Sequence, residues 1–439
     1  MEDVAFSSRC KEVRKRIEGF SKPLIVNHYD ADGIAAGALV AKALKRGGIE
    51  YNILTLRKLE EKREIREADE LIFVDFGGVE EALGEALEGK KVVIIDHHQS
   101  REGRLLQANP HLFGVDGGSE ISSSGTAYMV FGGAELVDLA LVGAVGDMQF
   151  PLKSLNRKIL REGIENGIAR CDIDLSIFGR MSRPLVWFLS YCTEPFLPGL
   201  TGNEKNCYRF LSKVGIEMKE AGRWRRYFEL SMEERVKLIS ALVAYLYSKG
   251  IGKVARELIG EVYILAKEPE GSELRDAKEY STLLNACGRH DRADIGIRVC
   301  LGEKAALEEA RKLLYEHRRQ LREGMFYAIS KYENYGKFYF LDGRGHIEDG
   351  VIGIIAGMLY GGALTSDKPI VGVALDREGK IKISARATKE LVDGGMNLGK
   401  ALEKACEGIG AGGGHNIAAG ATIESNKLNE FLLNFSREL

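Results

Sequence analysis

Residues 27–33 read NHYDADG, with an imidazole at His28 and carboxylates at Asp30 and Asp32, on alternating positions where the apolar run PLIVN ends. Carboxylates this close disfavour each other's ionisation unless positive charge lies between them. A bound cation is the simplest such charge, and it needs more ligands than these three. More donors follow in the same pattern. Asp75 lies near the end of ELIFVDFG (70–77), Asp96, His97 and His98 end KVVIIDHH (91–98), and Asp147 closes LALVGAVGD. Setting Asp96 and His98 aside, the donors are two imidazoles and four carboxylates, more than one divalent ion can use. Two ions sharing a bridging carboxylate would use them, at the ~3.5–4 Å separation of two-metal phosphotransfer sites. Mixed His/Asp donors suit Mn²⁺, with Mg²⁺ the alternative; a closed structural zinc site would call for thiolates. Singly, an Asp after a strand is commonly a helix cap, and a His there a hydrogen-bonded surface residue. The recurrence at three strand ends, with three of only eight histidines in these motifs, is what points to metal chemistry.

The elements that must position these donors are legible in outline. PLIVN (23–27), ELIFVDFG and KVVIIDHH read as buried parallel strands, and GIAAGALVAKALKRGG as a crossover helix ending at Gly47 and Gly48. The implied fold is an open α/β sheet, whose strand ends lie side by side and gather ligands. From about 155 to 285 the pattern is mainly helical, interrupted by the Pro/Gly-rich loop FLPGLTGNEK (196–205). A long amphipathic helix over 303–330 carries Arg311, Lys312, Arg318, Arg319 and Arg322, and reads as a solvated connector or, less plainly, as a basic wall beside a substrate channel. After residue 335 come strands in KFYFLDGR, PIVGVALDREG and KIKISARAT, the last two joined by a tight hairpin at DR-EG, with helical patterns at 349–362 and 397–408. The expected division is 1–155 as an α/β core, 156–300 as a mainly helical extension, 301–335 as a connecting helix and 336–439 as a small separate α/β domain.

In the last region AGGGHN draws notice. Three successive glycines, Gly412, Gly413 and Gly414, let a backbone approach a ligand closely, and consecutive N–H groups can form an anion-binding nest beside His415. A flexible glycine turn is the plainer alternative. Ser384 and Arg386, two apart on a strand, share a face.

Composition sets bounds. At 439 residues two or three domains are expected, and a formal net charge of −2 restricts any nucleic-acid surface to a local groove. No apolar stretch approaches the roughly 20 residues of a membrane span, and the first residues lack a signal-peptide core. Seven scattered cysteines without a C-x-x-C pair suit a reducing cytoplasm.

HYDADG, Asp75 in VDFG, DHH at 96–98 and Asp147 in VGAVGD together resemble the four motifs of DHH-superfamily phosphoesterases. GGGHNIAAG (412–420) resembles the signature of the nucleic-acid-binding domain that accompanies them. RPLVWFLSYCTEPFLPGLTG (183–202) and TLLNACGR (282–289) are similar to the archaeal RecJ-like branch, relatives of the GINS-associated nuclease. The resemblance implies that His28 and Asp30 hold one metal, that Asp32, His97 and Asp147 hold the other, and that Asp75 bridges both. Asp96 would orient an imidazole and His98 would face the scissile phosphate. Ser384, Arg386, Gly412, Gly413, Gly414, His415 and Asn416 would contact substrate. The expected activity is a metal-dependent exonuclease acting on single-stranded DNA or RNA in replication or repair, threading the strand between its two α/β domains. Two rivals are an oligonucleotide or cyclic-dinucleotide phosphodiesterase and a replisome scaffold. In either an active or a scaffold role, the insert around 205–275 could dock GINS or another replication or repair protein, with Trp224 as an interface anchor or merely a packing residue. Asn285 and Arg289 are left between substrate contact and helix-to-loop packing.

Overall fold

Five parallel strands carry the first part of the chain: β1 (Leu24–His28), β2 (Asn52–Leu56), β3 (Glu70–Val74), β4 (Lys91–Ile95) and β5 (Leu106–Ala108), in spatial order β2-β1-β3-β4-β5. The computed structural model describes residues 2–439 apart from 193, 194, 196, 250, 251, 362, 363, 365, 366 and 377. It divides into two units, Met1–Ser182 with Ile259–Tyr315, and Arg183–Leu258 with Glu316–Leu439. Phe196, Gly362 and Arg377, which fall in the loop, helix and hairpin expected above, lie outside the described residues, as do parts of 183–202.

In the first unit β1, β3 and β4 are buried on both faces, which is why they read as unbroken apolar runs. Ile25, Ile72, Val74, Val93 and Ile95 face one core; Leu24, Val26, Leu71, Phe73 and Ile94 face the other. Each such side chain contributes about 1.5–3 kcal/mol by leaving water. The chain passes from β1 to β2 on one side and then back to β3 on the other. The sheet's order therefore reverses between β1 and β3, the place where open α/β sheets bind ligands.

Helices α1 (Glu2–Ile17), α2 (Ala31–Arg46), α3 (Arg63–Glu67), α4 (Val79–Leu83), α5 (Ser123–Phe131), α6 (Val137–Gly146) and α7 (Ser154–Glu165) complete this part. The crossover helix α2 is buried over nearly its whole length and rich in alanine, so it packs closely on β1, α5 and α6. Lys45 and Arg46 in its last turn suit the negative end of the helix dipole. The apolar segment LALVGAVGD belongs to α6, and Asp147 caps that helix, so the fourth acid comes from a helix end and not from a strand end. Residues 139–145 are all buried, so the segment lacks the polar face that marks a helix in sequence. The expected helical extension also contains a strand, Ala169–Leu175, paired antiparallel with Ile259–Leu265.

The second unit holds helices that include Leu185–Ser190, Glu204–Val214 and Met232–Ser248, and a six-stranded mixed sheet. The sheet runs Glu333–Asn334, Tyr339–Asp342, Ile370–Leu375, Ile381–Arg386, Ala418–Ile423, Gly410–Gly414 from edge to edge. Helix Asp349–Met358 joins one of its cores, and helices Leu398–Ala405 and Leu428–Glu438 join the other. Trp224 packs edge-on to Trp187, with ring centroids 5.4 Å apart and the Lys219 ammonium over its ring. The long helix spans Lys304–Lys331, and the division between units falls within it.

Candidate metal centre

The end of β1 delivers His28. Two residues later Asp30 caps α2, its Oδ1 accepting the Gly33 N–H at 3.0 Å, so the capping role and the donor role fall on one carboxylate. Asp32, in the first turn of α2, is fully buried. Its two oxygens accept the Ser123 and Ser124 N–H groups at 2.7 and 3.0 Å, at the positive end of α5. Asp75 follows β3 with φ 64°, a left-handed conformation that strains a residue with a side chain. Its N–H is held by the Ile95 carbonyl, and its Oδ1 accepts the Ser123 hydroxyl at 2.8 Å. His97 and Asp147 arrive from the end of β4 and the end of α6.

Three groups result, each with ligand atoms within 4.8 Å of one another: His28, Asp30 and Asp75; Asp32, His97 and Asp147; and Asp75, His97 and His98. Asp75 and His97 each belong to two of the groups, so the six expected donors and His98 form one cluster.

The donor chemistry fits divalent cations. His97 Nδ1 lies 2.7 Å from the Gly117 carbonyl, which can only accept, so Nδ1 carries a proton. Nε2 then points its lone pair at carboxylate oxygens of Asp147 (3.2 Å) and Asp75 (3.5 Å) unless a proton or a cation intervenes. His28 Nδ1 is 3.0 Å from Asp30 and 3.4 Å from Asp75, ion-pair distances, yet it is buried without an aligned hydrogen bond.

Proton affinities show the same excess of negative charge. Burial, and then the charges of Asp30 and Asp32, push the Asp75 carboxyl well above the usual carboxylate range. Burial and then Asp32 do the same to Asp147. Burial draws His28 down, but pairing with Asp30 and Asp75 outweighs it and sets the imidazole at about 11; Asp30, opposed by burial, falls to about 2 through His28. Burial opposes the charged form of His97 too, and Asp147 and Asp32 still raise it. A cation bound among these groups would relieve the same excess of negative charge.

Asp96 is buried behind the cluster and pairs through Oδ1 with His98 Nδ1 at 2.8 Å. That pairing is the first cause raising His98 to about 9. The His98 side chain is 48% exposed against 9% for His97, so it stands at the open edge. Of the supports around the donors, the sequence singles out only Asn285, between substrate contact and packing. Gln149 donates to the Gly117 carbonyl that orients His97, and Asn285 Oδ1 accepts the Ala31 N–H at the start of α2. Asn285 therefore packs the first turn of α2. Ser123 and Ser124 sit in ISSSGT, a serine run opening a helix, which is a readable capping signal.

The other candidates belong to the second unit. Ser384 and Arg386 share a face of the strand Ile381–Arg386, over Gly353 of helix Asp349–Met358. A Cβ at 353 would lie 3.1 Å from the Ser384 hydroxyl and 2.6 Å from an Arg386 guanidinium nitrogen. Gly412, Gly413 and Gly414 form neither nest nor turn; they are an edge strand paired with Ala418–Ile423. Gly372, Ser384, Gly420 and Gly413 stand in one row across four strands, so Ser384 is flanked by positions without side chains. His415 and Asn416 are exposed in the turn that follows, and their carbonyls accept the Gly399 and Leu398 N–H groups at the start of helix Leu398–Ala405.

Residues 22–144, which hold all the donors but Asp147, match the DHH family N-terminal domain. The chain belongs to the DHH superfamily. A DHH-CID domain matches 177–259 and a DHHA1 domain 336–439. A Methanocaldococcus jannaschii chain described as uncharacterized protein MJ0831 is 31% identical over 428 residues, covering 93% of this DHH chain and 91% of the relative. Among solved structures, RecJ of Thermus thermophilus in complex with Mn²⁺ is similar at TM-score 0.60 and 18% identity. The match covers 98% of this chain and 54% of RecJ, so the DHH chain spans about half the length of that protein. CDC45 from Entamoeba histolytica is similar at TM-score 0.67 and 13% identity, covering 99% of this chain and 98% of CDC45. At these identities the likeness is one of fold, and the fold is RecJ-like.

Proposed function

We propose that this DHH protein is a two-metal phosphodiesterase that trims single-stranded DNA or RNA from one end. The observation that carries the reading is the donor cluster, in which Asp75 belongs both to the His28–Asp30 group and to a group containing His97, itself shared with Asp32 and Asp147. Its residues would hold two divalent ions, with Mn²⁺ favoured and Mg²⁺ the alternative; T. thermophilus RecJ is solved with each. Bound there, such ions supply Lewis acidity and an activated water for in-line attack on phosphorus. The chain's own residues do the rest. Ser123, Ser124 and Gly117 fix the donors, Asp96 orients His98, and His98 offers a proton-bearing edge toward a phosphate oxygen. Ser384, Arg386 and the glycine row, with His415 and Asn416 beside it, are the proposed backbone-gripping surface. Arginine suits phosphate by its two-pronged geometry.

A CDC45-like scaffold is the competing reading, with 205–275 as a dock for a replication partner such as GINS. Six donors in place, including four carboxylates that are hard to keep together without cations, favour the enzyme. The test uses single strands of DNA and RNA labelled at either end, with a dinucleotide and a duplex alongside, in Mn²⁺. Stepwise release of mononucleotides from one labelled end, absent in Asp75→Asn, is expected. Hydrolysis of the dinucleotide alone would assign a small substrate, and no hydrolysis of any of them would leave the scaffold.

A further inference from the structure

In the second unit, away from Ser384 and the glycine row in sequence, Tyr191 and the part of the long helix from residue 316 onward form a surface that the proposed function does not use. Two guanidinium groups lie over the Tyr191 ring, Arg183 and Arg322, each with its central carbon 5.6 Å from the ring centroid. The Tyr191 hydroxyl is tied to Glu204 at 3.2 Å, which fixes the ring. Arg183 is buried, whereas Arg322 is exposed and, among the described residues, pairs with no carboxylate. A long cationic side chain held over an aromatic ring has fewer conformations to lose when it meets an anion.

One helical turn further, Phe326 is 55% exposed, followed by the exposed Ile329. Phe326 is braced by Gly202, where φ is +77° and a Cβ would come within 2.8 Å of the ring. Arg322 and Phe326, four apart, face the same way. An oriented guanidinium beside an exposed and braced aromatic ring is the pairing that grips single-stranded nucleic acid: charge for the phosphate, a flat apolar face for the base.

We infer that Tyr191, Arg322 and Phe326 form a sequence-neutral track for single-stranded nucleic acid, separate from the Ser384–Arg386 surface. The inference rests on the exonuclease reading for its substrate class and names a grip that this reading lacks. Charge complementarity favours a polyanion over a protein segment, because Arg322 pairs with no acid among the described residues.

The test is binding, measured by fluorescence anisotropy of a labelled oligothymidylate of about 20 nucleotides, longer than the roughly 4–16 a single binding fold covers. Metal is chelated so that nothing is cut, and the full-length protein is titrated at several salt concentrations. Arg322→Ala is expected to weaken binding about tenfold and to flatten the plot of log affinity against log salt by ~0.7, the loss of one phosphate contact on a single strand. Arg322→Lys should keep the slope. Phe326→Ala should weaken binding roughly tenfold without changing the slope. Phe326→Leu, which keeps the apolar volume but not the ring, should do the same where the alanine variant fails to fold. Unchanged affinity and slope in Arg322→Ala, or wild-type binding by Phe326→Leu, would overturn the track and leave this face to a protein partner. Cleavage by the wild type is scored separately in Mn²⁺, so a protein that binds through the track but cuts nothing refutes the exonuclease alone.

Discussion

The donor cluster of the first unit and the glycine row of the second are both candidate sites at strand level, and they are built in opposite ways. The first crowds charge out of water: Asp32 and Asp75 are almost wholly buried, and their surroundings raise the proton affinity of Asp75, Asp147 and His28. The second clears space, setting Ser384 among Gly372, Gly420 and Gly413 with one arginine nearby. Crowded charge needs a counter-ion to be stable, so its function is written in its energetics. An open backbone shelf is stable by itself, and only a ligand reveals its use. The first should therefore respond to pH, chelation and charge removal, and the second to salt and substrate length.

The largest effect expected is from Asp75→Asn. Asparagine tolerates the left-handed backbone at this position while removing the shared charge. Phosphodiesterase activity should fall by at least ~10²–10³-fold, yet the metal-free protein should melt higher than wild type, because a buried carboxylate among like charges is gone. A lower melting temperature without metal would break the contrast.

Gly143→Ala comes next. A Cβ there would overlap Ser124 Oγ and Asp32 Oδ1, so α6 must shift or Asp32 must turn. Metal affinity, read by calorimetry, should fall about 10–100-fold, as when a ligand's support is lost. Unchanged affinity would mean that Asp32 is not needed where it stands.

Arg386→Ala should touch only the second site, raising KM for a long single strand about tenfold with kcat retained, one charge-assisted contact's worth. A fall in kcat with KM unchanged would place Arg386 in the chemistry instead of the grip.

The smallest effect is a melting profile against pH. His98 and His28 have raised values, about 9 and about 11, so their contribution to stability is complete below the unfolded value near 6.5. It is lost as pH rises through the folded values. The raised Asp75 and Asp147 carboxyls act in the same direction, whereas the lowered Asp30 and Asp96 lose stability only in acid. Metal-free protein should therefore melt lower at pH 9 than at pH 6.5 by a few degrees, of the order expected for ~1 kcal/mol. Mn²⁺ should reverse the trend, since deprotonated ligands bind it more tightly. The same downward slope with saturating Mn²⁺ would argue against binding at these groups.

The sequence carries the first site more clearly than the second, for the same physical reason. β1, β3, β4 and α2 announce themselves because buried strands are unbroken apolar runs and the crossover helix begins at a capping aspartate. β2 is only partly buried and β5 has three residues, so neither rises above its surroundings. The segment before Asp147 is apolar on every side, and period alone does not separate a buried helix from a buried strand there. Glycines 412–414 read as an anion-binding nest or a turn because glycine is conformationally free; pairing with Ala418–Ile423 is a tertiary fact that no local pattern holds. Ser123 and Ser124 act largely through backbone N–H groups, which every residue but proline has.

The contact between Asn285 and the Ala31 N–H bridges 254 positions. On a ribosome the donors from His28 to Asp147 would all emerge well before the residue that fastens the first turn of their helix. Closing so long a loop costs about 5 kcal/mol of chain entropy if the intervening polypeptide is slack. Pairing of Ala169–Leu175 with Ile259–Leu265 shortens that path, because it brings the segment's exit and return together, with Leu175 opposite Ile259. The residues between those strands then drop out of the loop as a closed excursion. Their replacement by a short turn should leave the cluster to assemble in the same order, and faster.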